Sequence, residues 1–243
     1  MRSPRARLHL LASRAHKWLA IVVGAQLLLW FASGALMSFL PIGRVHGDHL
    51  VDRTTGMPLN PGIGLAAPSE YLRSLGEPVQ SITIRMLGSK PVAEVMTAKG
   101  VTLVDAVTAS RLPPLDAQIA ETIARDAWRG PDRPIASVTL VSDPGAEYRG
   151  PLPAWRVAFA DADATRIFIP ASTGRIAAVR TGTWRLYDFF WGLHIMDWKN
   201  HENFNTPWLL SFALGGIVLW LGGAVLLYMR WPVRRRRAVS RPT

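Results

Sequence analysis

The chain has 243 residues, 49% of them hydrophobic and 19% charged, with a mean hydropathy of +0.14, too apolar for a disordered protein and more apolar than an ordinary soluble enzyme. Its formal net charge is +11, but Arg2, Arg5, Arg7, Arg14 and Lys17 at one end and Arg230, Arg234, Arg235, Arg236, Arg237 and Arg241 at the other account for all of it, because residues 18–229 balance 17 basic against 17 acidic side chains. A nucleic-acid groove needs its charge on the folded body, so that partner is excluded, and the lack of cysteine excludes disulfides, thiolate metal sites, Cys-ligated clusters and a Cys nucleophile.

Residues 1–17 read as a basic cytoplasmic tail. From Trp18 to Gly43 no residue is charged across 26 positions, and about 20 suffice to cross the hydrocarbon core, so a first transmembrane helix is predicted over 18–40. A cleaved signal peptide is the alternative, with Ala32-Ser33-Gly34 as small residues, but a signal core of roughly 7–15 residues is shorter than this run. Trp208 to Met229 is a further uncharged stretch of 22, which predicts a second span over 207–230, with Thr206 and Pro207 as N-cap and first-turn residues. Both flanking tails, 1–17 and 231–243, are purely basic, which places both termini in the cytoplasm and residues 44–207 outside. In a Gram-negative host that outside is the periplasm and the membrane is the inner one. Trp18 and Trp231 suit the inner interface and Trp208 the outer. The small-residue pairs Ala20/Gly24 and Gly34/Ser38 lie at depths comparable to Gly222/Gly223 and Ser211/Gly215, and serve either pairing within the chain or dimerisation. Arg234–Arg237 is sufficiently explained as an orientation signal, with anionic lipid or a partner as the other reading.

Between the spans, Pro41, Gly43, Gly47, Gly56, Pro58, Pro61, Gly62 and Gly64 define a linker over 41–64. A unit over 65–115 follows. A short helix opens at Pro68, carries Tyr71, Leu72 and Leu75 and stops at Gly76; strands are predicted at Val79–Met86, Pro91–Thr97 and Gly100–Thr108. The order recurs over 116–180: Asp116 as N-cap, a helix with Ile119, Ile123 and Ala127 on one face, a Gly130-Pro131 break, then strands at Ala136–Val141, Ala154–Ala160 and Thr165–Pro170. Val104–Leu112 echoes Ile167–Ile176 as last strand and exit turn. A lone helix of about 12 residues is unstable in water, so each must lie on a three-stranded antiparallel sheet. The fold class is therefore an α+β periplasmic domain of two helix-plus-sheet units on two transmembrane helices. In the segment 181–206, Trp184, Trp191 and Trp198 recur every seven residues, as in an amphipathic helix at the membrane surface.

The run Ala15-His-Lys-Trp-Leu19 entering a span, Pro153-Ala-Trp-Arg-Val157 followed by Ile167-Phe-Ile-Pro-Ala-Ser-Thr-Gly-Arg-Ile176, and Asp188-Phe-Phe-Trp-Gly-Leu-His-Ile-Met-Asp197 before the second span together resemble the PepSY-associated transmembrane proteins. The resemblance covers nearly the whole chain. It implies an inner-membrane protein with two PepSY-like periplasmic units, some of whose relatives are haem-containing ferric-siderophore reductases and others fused to flavin reductase modules. This chain differs from the larger relatives in having two spans rather than four or more, and no flavin module.

All six histidines sit near membrane boundaries: His9 and His16 inside, His46 and His49 after the first span, His194 and His201 before the second. Two axial imidazoles must converge on one porphyrin. A span of about 22 residues is roughly 33 Å long, so His16 and His194 belong to different leaflets. Outer-side pairs, His46 or His49 with His194 or His201, are available within one chain; His16 needs a second chain or a partner. The candidate cofactor residues are thus His194, His16, His201 and His46 for a haem b. The competing metal reading takes His194, Asp197 and His201, at i, i+3 and i+7 on one helical face. Other chemistry lacks its signature. His201-Glu-Asn-Phe-Asn205 has no second zinc-protease histidine, Asp161 and Asp163 are too few for calcium and suit a hairpin loop, and no Gly-x-Ser-x-Gly turn is present. The expected function is assistance to periplasmic iron, siderophore or metal handling as a haem-bearing reductase subunit, acting with the lipid bilayer and a homodimeric or membrane partner. The alternative is a tethered, non-catalytic binding module for a partner protein or peptidase, whose free sheet edges accept an extended peptide.

Overall fold

The computed structural model describes residues 4–54, 57–131 and 134–230. It is an α+β chain with six helices and seven strands among those residues, organised as two compact units: one built from the two chain ends, up to Phe39 and from Phe189, the other spanning Leu40–Asp188.

The first unit contains α1 (Pro4–Phe39), the end of α5 (Gly182–Ile195) and α6 (Pro207–Arg230). Two stretches, His16–Phe39 and Pro207–Val225, are long and apolar enough to cross a membrane. The helix begins twelve residues before the first of them, so part of the expected tail is helical; residues 231–243, with Trp231, Arg234–Arg237 and Arg241, lie outside the described residues, as does Arg2. α1 and α6 pack antiparallel within the chain. A Cβ on Gly215 would stand 3.2 Å from Val23 Cγ2, and one on Gly222 would stand 3.2 Å from His16 Nδ1. The small-residue register differs from expectation: a Cβ on Gly24 or Gly223 would meet no neighbouring element within 4 Å, and one on Gly34 would meet His194 instead of Ser211 or Gly215. At the start of α6, Thr206 Oγ1 accepts from Leu209 N at 3.2 Å and Pro207 occupies the first turn, where its missing N–H costs nothing.

The second unit carries two sheets. α3 (Pro68–Leu75) starts at a proline and ends on left-handed Gly76, then leads into an antiparallel sheet β1 (Val79–Leu87), β2 (Lys90–Thr97) and β3 (Gly100–Asp105), in that order. Tyr71 and Leu75 lie on Ala93, Val95 and Val104, and Tyr71 OH donates to Ala106 O at 2.7 Å. α4 (Ala117–Ala127), capped by Asp116 Oδ1 accepting from Ile119 N at 2.8 Å, packs on β4 (Ile135–Val141), β5 (Ala154–Phe159), β6 (Arg166–Pro170) and β7 (Ala178–Arg180). The second sheet thus has a fourth strand, three residues long and without a periodicity signal of its own. The buried face of α4 is Ala120, Ala124 and Ala127, while Ile119 is 43% exposed, a rotation from the expected face that lets small side chains bring helix and sheet close. The linker is not solvated throughout: it forms α2 (Ile42–His46), and Leu50 and Val51 enter the core with Val157, Phe159, Ile167 and Val179.

The helix-then-strands order recurs in detail. Both first strands slip register one residue in, between Val79/Ser81 and Ile135/Ser137. Both third strands exit through a left-handed residue whose N–H returns to the strand's last carbonyl, Ala109 to Asp105 and Gly174 to Pro170, each at 2.9 Å. The sheets are joined through Val92, Leu103 and Leu115 with Leu87 and Ile123, and through Glu94 of β2. Its carboxylate accepts from Arg85 at 2.7 Å and from Arg175 at 2.8 Å, and Arg85 also donates to Thr173 O.

Candidate functional site

α5 ends at Ile195 without glycine or proline. Met196 adopts φ 54°, Asp197 N donates to Gly192 O at 3.2 Å and Met196 N to Leu193 O at 3.3 Å. That pair of reversed bonds is a Schellman stop, with methionine where glycine is usual. It leaves the His194 carbonyl as a helix-end orphan, and Trp30 Nε1 of α1 donates to it at 2.8 Å.

The ring of His194 is held by the same face of α1. Trp30, Ser33 and Gly34 are spaced i, i+3 and i+4, hence adjacent on the helix surface. Ser33 is 3% exposed, and its Oγ lies 2.7 Å from Leu29 O and 2.9 Å from His194 Nδ1. A serine hydroxyl has one proton, and in a helix the i−4 carbonyl, here Leu29 O, is an acceptor for it. With the proton on Leu29 O the Ser33 oxygen accepts from His194 Nδ1–H; with the proton turned to the ring, Nδ1 accepts instead. In the neutral imidazole the first assignment leaves the lone pair on Nε2, the state in which a histidine ligates metal. Gly34 makes room for the ring: a Cβ there would sit 3.5 Å from His194 Cε1.

Asp197 follows immediately and organises the turn into α6. Its Oδ2 accepts from Asn203 N at 2.9 Å and Glu202 N at 3.0 Å, and its Oδ1 from Asn200 N at 3.3 Å and Lys199 N at 3.4 Å. The Asn203 and Glu202 bonds chiefly hold its carboxyl far below the usual carboxylate range. Both oxygens are committed to backbone. The one-faced ladder expected of His194, Asp197 and His201 does not form, because the helix stops at Ile195 and His201 sits beyond it at φ 58°. Among the described residues no group of three His, Asp or Glu side chains is placed to hold a metal ion.

The other histidines are dispersed. The His201 ring lies over Gly192, where a Cβ would be 2.5 Å from Nε2, and its carbonyl accepts from Trp191 Nε1 at 2.9 Å. His16 lies against Gly222, and the 17 helical steps of α1 from it to Ser33 amount to about 26 Å, so His16 and His194 do not share a cofactor within one chain. His46, at the end of α2, and His49 are exposed and belong to the other compact unit. The tryptophan stripe also divides: Trp191 holds the His201 carbonyl, Trp198 is off the helix and 60% exposed, and Trp184 stacks under Arg180. Asp161 is a loop residue whose carboxylate takes Thr165 N and Oγ1 at 2.7 and 2.6 Å.

Trp30, Ser33 and Gly34 are the site residues that spacing arguments about histidine pass over. Their signal is a Trp-x-x-Ser-Gly face on an otherwise apolar helix. Comparison of the chain with protein-family models, with curated proteins and with solved structures finds no match.

Proposed function

We propose that this chain is an inner-membrane protein of PepSY type whose His194 supplies an axial imidazole to a b-type haem, making it an electron-transfer subunit in periplasmic iron or siderophore handling. The observation supporting this reading is the 2.9 Å Ser33–His194 hydrogen bond, which leaves Nε2 as the basic nitrogen when the Ser33 proton goes to Leu29 O. His194 would hold the group through Nε2, with Ser33 bonded to Nδ1, Trp30 anchoring the helix end that presents the ring, and Gly34 leaving space for it. One imidazole per chain would hold the haem in this way, and a second copy of the chain would supply a further ligand. When bound, the haem supplies one-electron transfer between ferric and ferrous iron.

The test is an absorption spectrum of detergent-purified protein after haem-supplemented expression, oxidised and dithionite-reduced. A Soret band that shifts on reduction and disappears in His194→Ala is the expected result; a featureless wild-type spectrum, or a band retained by His194→Ala, refutes the assignment. A second reading, a tethered binding module for a partner protein or peptidase, is favoured by a groove of about 530 Å³ along β1. Ile84, Met86, Met57 and Leu59 line it beside Arg53 and Arg175. Recovery of one defined partner from membranes, lost on Ile84→Asp, would support this reading.

A further inference from the structure

We propose that residues 189–206, the end of α5 and the turn into α6, are inserted at the boundary between headgroups and acyl chains of a phospholipid leaflet, with Phe189, Leu193, Trp198 and Phe204 facing the lipid. This placement rests on the membrane reading above and is independent of any haem. Every residue of the insertion belongs to the unit formed by the two chain ends.

The two apolar helices are offset along their axes. A Cβ on Gly215 of α6 would lie against Val23 of α1, and one on Gly222, seven residues on, against His16, seven residues back. Carrying that antiparallel pairing eight residues the other way brings Pro207, the first residue of α6, level with Phe31. α1 continues past this level for eight residues to Phe39, about 12 Å beyond the start of α6. By its own composition α6 sets the edge of the hydrocarbon near Pro207, whereas α1, uncharged to Gly43, sets it at Phe39 or beyond. The two edges disagree by about 12 Å.

Residues 189–206 fill that interval. The His194 ring is bonded to Ser33 and its carbonyl to Trp30, and the chain then turns to reach Pro207. Wherever in the interval the edge falls, this segment lies beside it. Its surface suits neither bulk water nor hydrocarbon. Phe31, Phe39, Phe189, Trp198, Phe204 and Trp208 are each more than half exposed, an apolar band that a water-facing surface seldom carries. Phe189 and Leu193 are i, i+4 neighbours outside the buried strip of Gly192 and Ile195. Phe204 stands edge-on to Trp191, ring centroids 5.4 Å apart. Exposed Lys199, Glu202 and Asn203 in the same turn are too polar for the acyl interior. The backbone is nevertheless prepared for low polarity: the N–H groups of Lys199, Asn200, Glu202 and Asn203 all donate to Asp197. Aromatic rings interleaved with polar side chains over a satisfied backbone match the headgroup–acyl boundary. Of the tryptophans spaced by seven, only Trp198 belongs to this band; Trp191 is committed to the His201 carbonyl.

The chain has no cysteine, so a nitroxide on a single introduced cysteine reports without background. The full chain is reconstituted in vesicles of phosphatidylethanolamine and phosphatidylglycerol. Power-saturation EPR then measures collisions with oxygen, which concentrates among acyl chains, and with a nickel chelate, which stays in water. Phe189→Cys, Leu193→Cys, Trp198→Cys and Phe204→Cys are compared with Leu214→Cys, exposed on α6, and Gln118→Cys, exposed on α4. Leu214→Cys should collide with oxygen and Gln118→Cys with the chelate. The four test positions should fall between, with chelate collisions at least about threefold below Gln118→Cys and oxygen collisions above it. Chelate collisions equal to those of Gln118→Cys, with Leu214→Cys still in lipid, overturn the insertion and leave the spans standing. Chelate access at Leu214→Cys overturns the membrane reading itself. Low collision with both reagents at the test positions signals a protein contact in place of lipid and also overturns the insertion. Four positions are read, so a variant that fails to fold leaves the others to decide.

Discussion

Gly174 and Gly76 hold the same backbone conformation, φ +68° and +66°, in different surroundings, and substituting each with alanine separates two costs. At Gly76 an added Cβ meets nothing within 4 Å, so Gly76→Ala reports left-handed strain alone, about 1–2 kcal/mol. At Gly174 the same strain is joined by contacts of 2.8 Å to Leu115 Cδ2 and 2.9 Å to Leu87 Cδ1. Both leucines belong to the layer between the two sheets, and Leu115 is 5% exposed, so at least its Cδ2 has little room to retreat. Overpacking of this kind adds about 1–3 kcal/mol. Gly174→Ala is therefore expected to destabilise by about 2–5 kcal/mol, exceeding Gly76→Ala by the overpacking alone. The two compact units need not unfold together, so a bulk melting curve is a poor readout. Native-state hydrogen exchange at Ala93, Val95 and Val157, in the interiors of β2 and β5, reads the Leu40–Asp188 unit directly. Equal losses for the two substitutions would refute the packing of Leu87 and Leu115 around that turn.

Ser33→Ala removes the partner of His194 Nδ1 at a stability cost of about 1 kcal/mol; imidazole nitrogen NMR should show one tautomer in wild type and a mixture in the variant, and if haem is bound, its retention should fall about tenfold. Glu94 and Glu147 are each buried, which raises the pKa, but paired arginines, Arg175 and Arg85 for one and Arg166 and Arg185 for the other, bring the balance below the ordinary glutamate value. A depressed native pKa means that the unfolded chain takes up protons first as pH falls. The stabilisation is therefore complete above the ordinary value near 4.5 and is lost progressively as pH drops below it through the native pKa. Denaturant titrations should show that loss in wild type and a flatter profile in Glu94→Gln. Asp197→Asn puts an amide nitrogen where two backbone N–H groups now donate; faster exchange at Glu202 and Asn203, or at Lys199 and Asn200 if the amide turns the other way, is expected, with α4 amides unchanged.

Local signals in the chain were enough for much of the fold. Pro68, Asp116 and the Thr206-Pro207 pair each start a helix through chemistry carried by one or two residues, and Ile82 and Ile84 alternate with polar neighbours in β1. What escaped has a non-local cause. β7 is too short to show a period and exists because β6 offers it an edge. The face of α4 is chosen by how closely alanines let it approach the sheet, so the larger Ile119 misleads. The stop at Met196 has no breaker residue; it is imposed by the Asp197 loop and by Trp30. Of the site, His194 stands out in the sequence by its position before the span, but Ser33 and Trp30 are partners only because two helices far apart in the chain meet.

That separation has a bearing on how the protein is made. Trp30 and His194 are 164 positions apart, and the Leu40–Asp188 unit is synthesised entirely between them. The helix carrying Trp30 and Ser33 leaves the ribosome first and waits, without its partner, until the inserted unit is complete. Until then the imidazole that Ser33 will meet has not been made. Maturation at this histidine is consequently a late event in biogenesis, and a chain truncated after Asp188 would contain a finished inserted unit but no assembled histidine site.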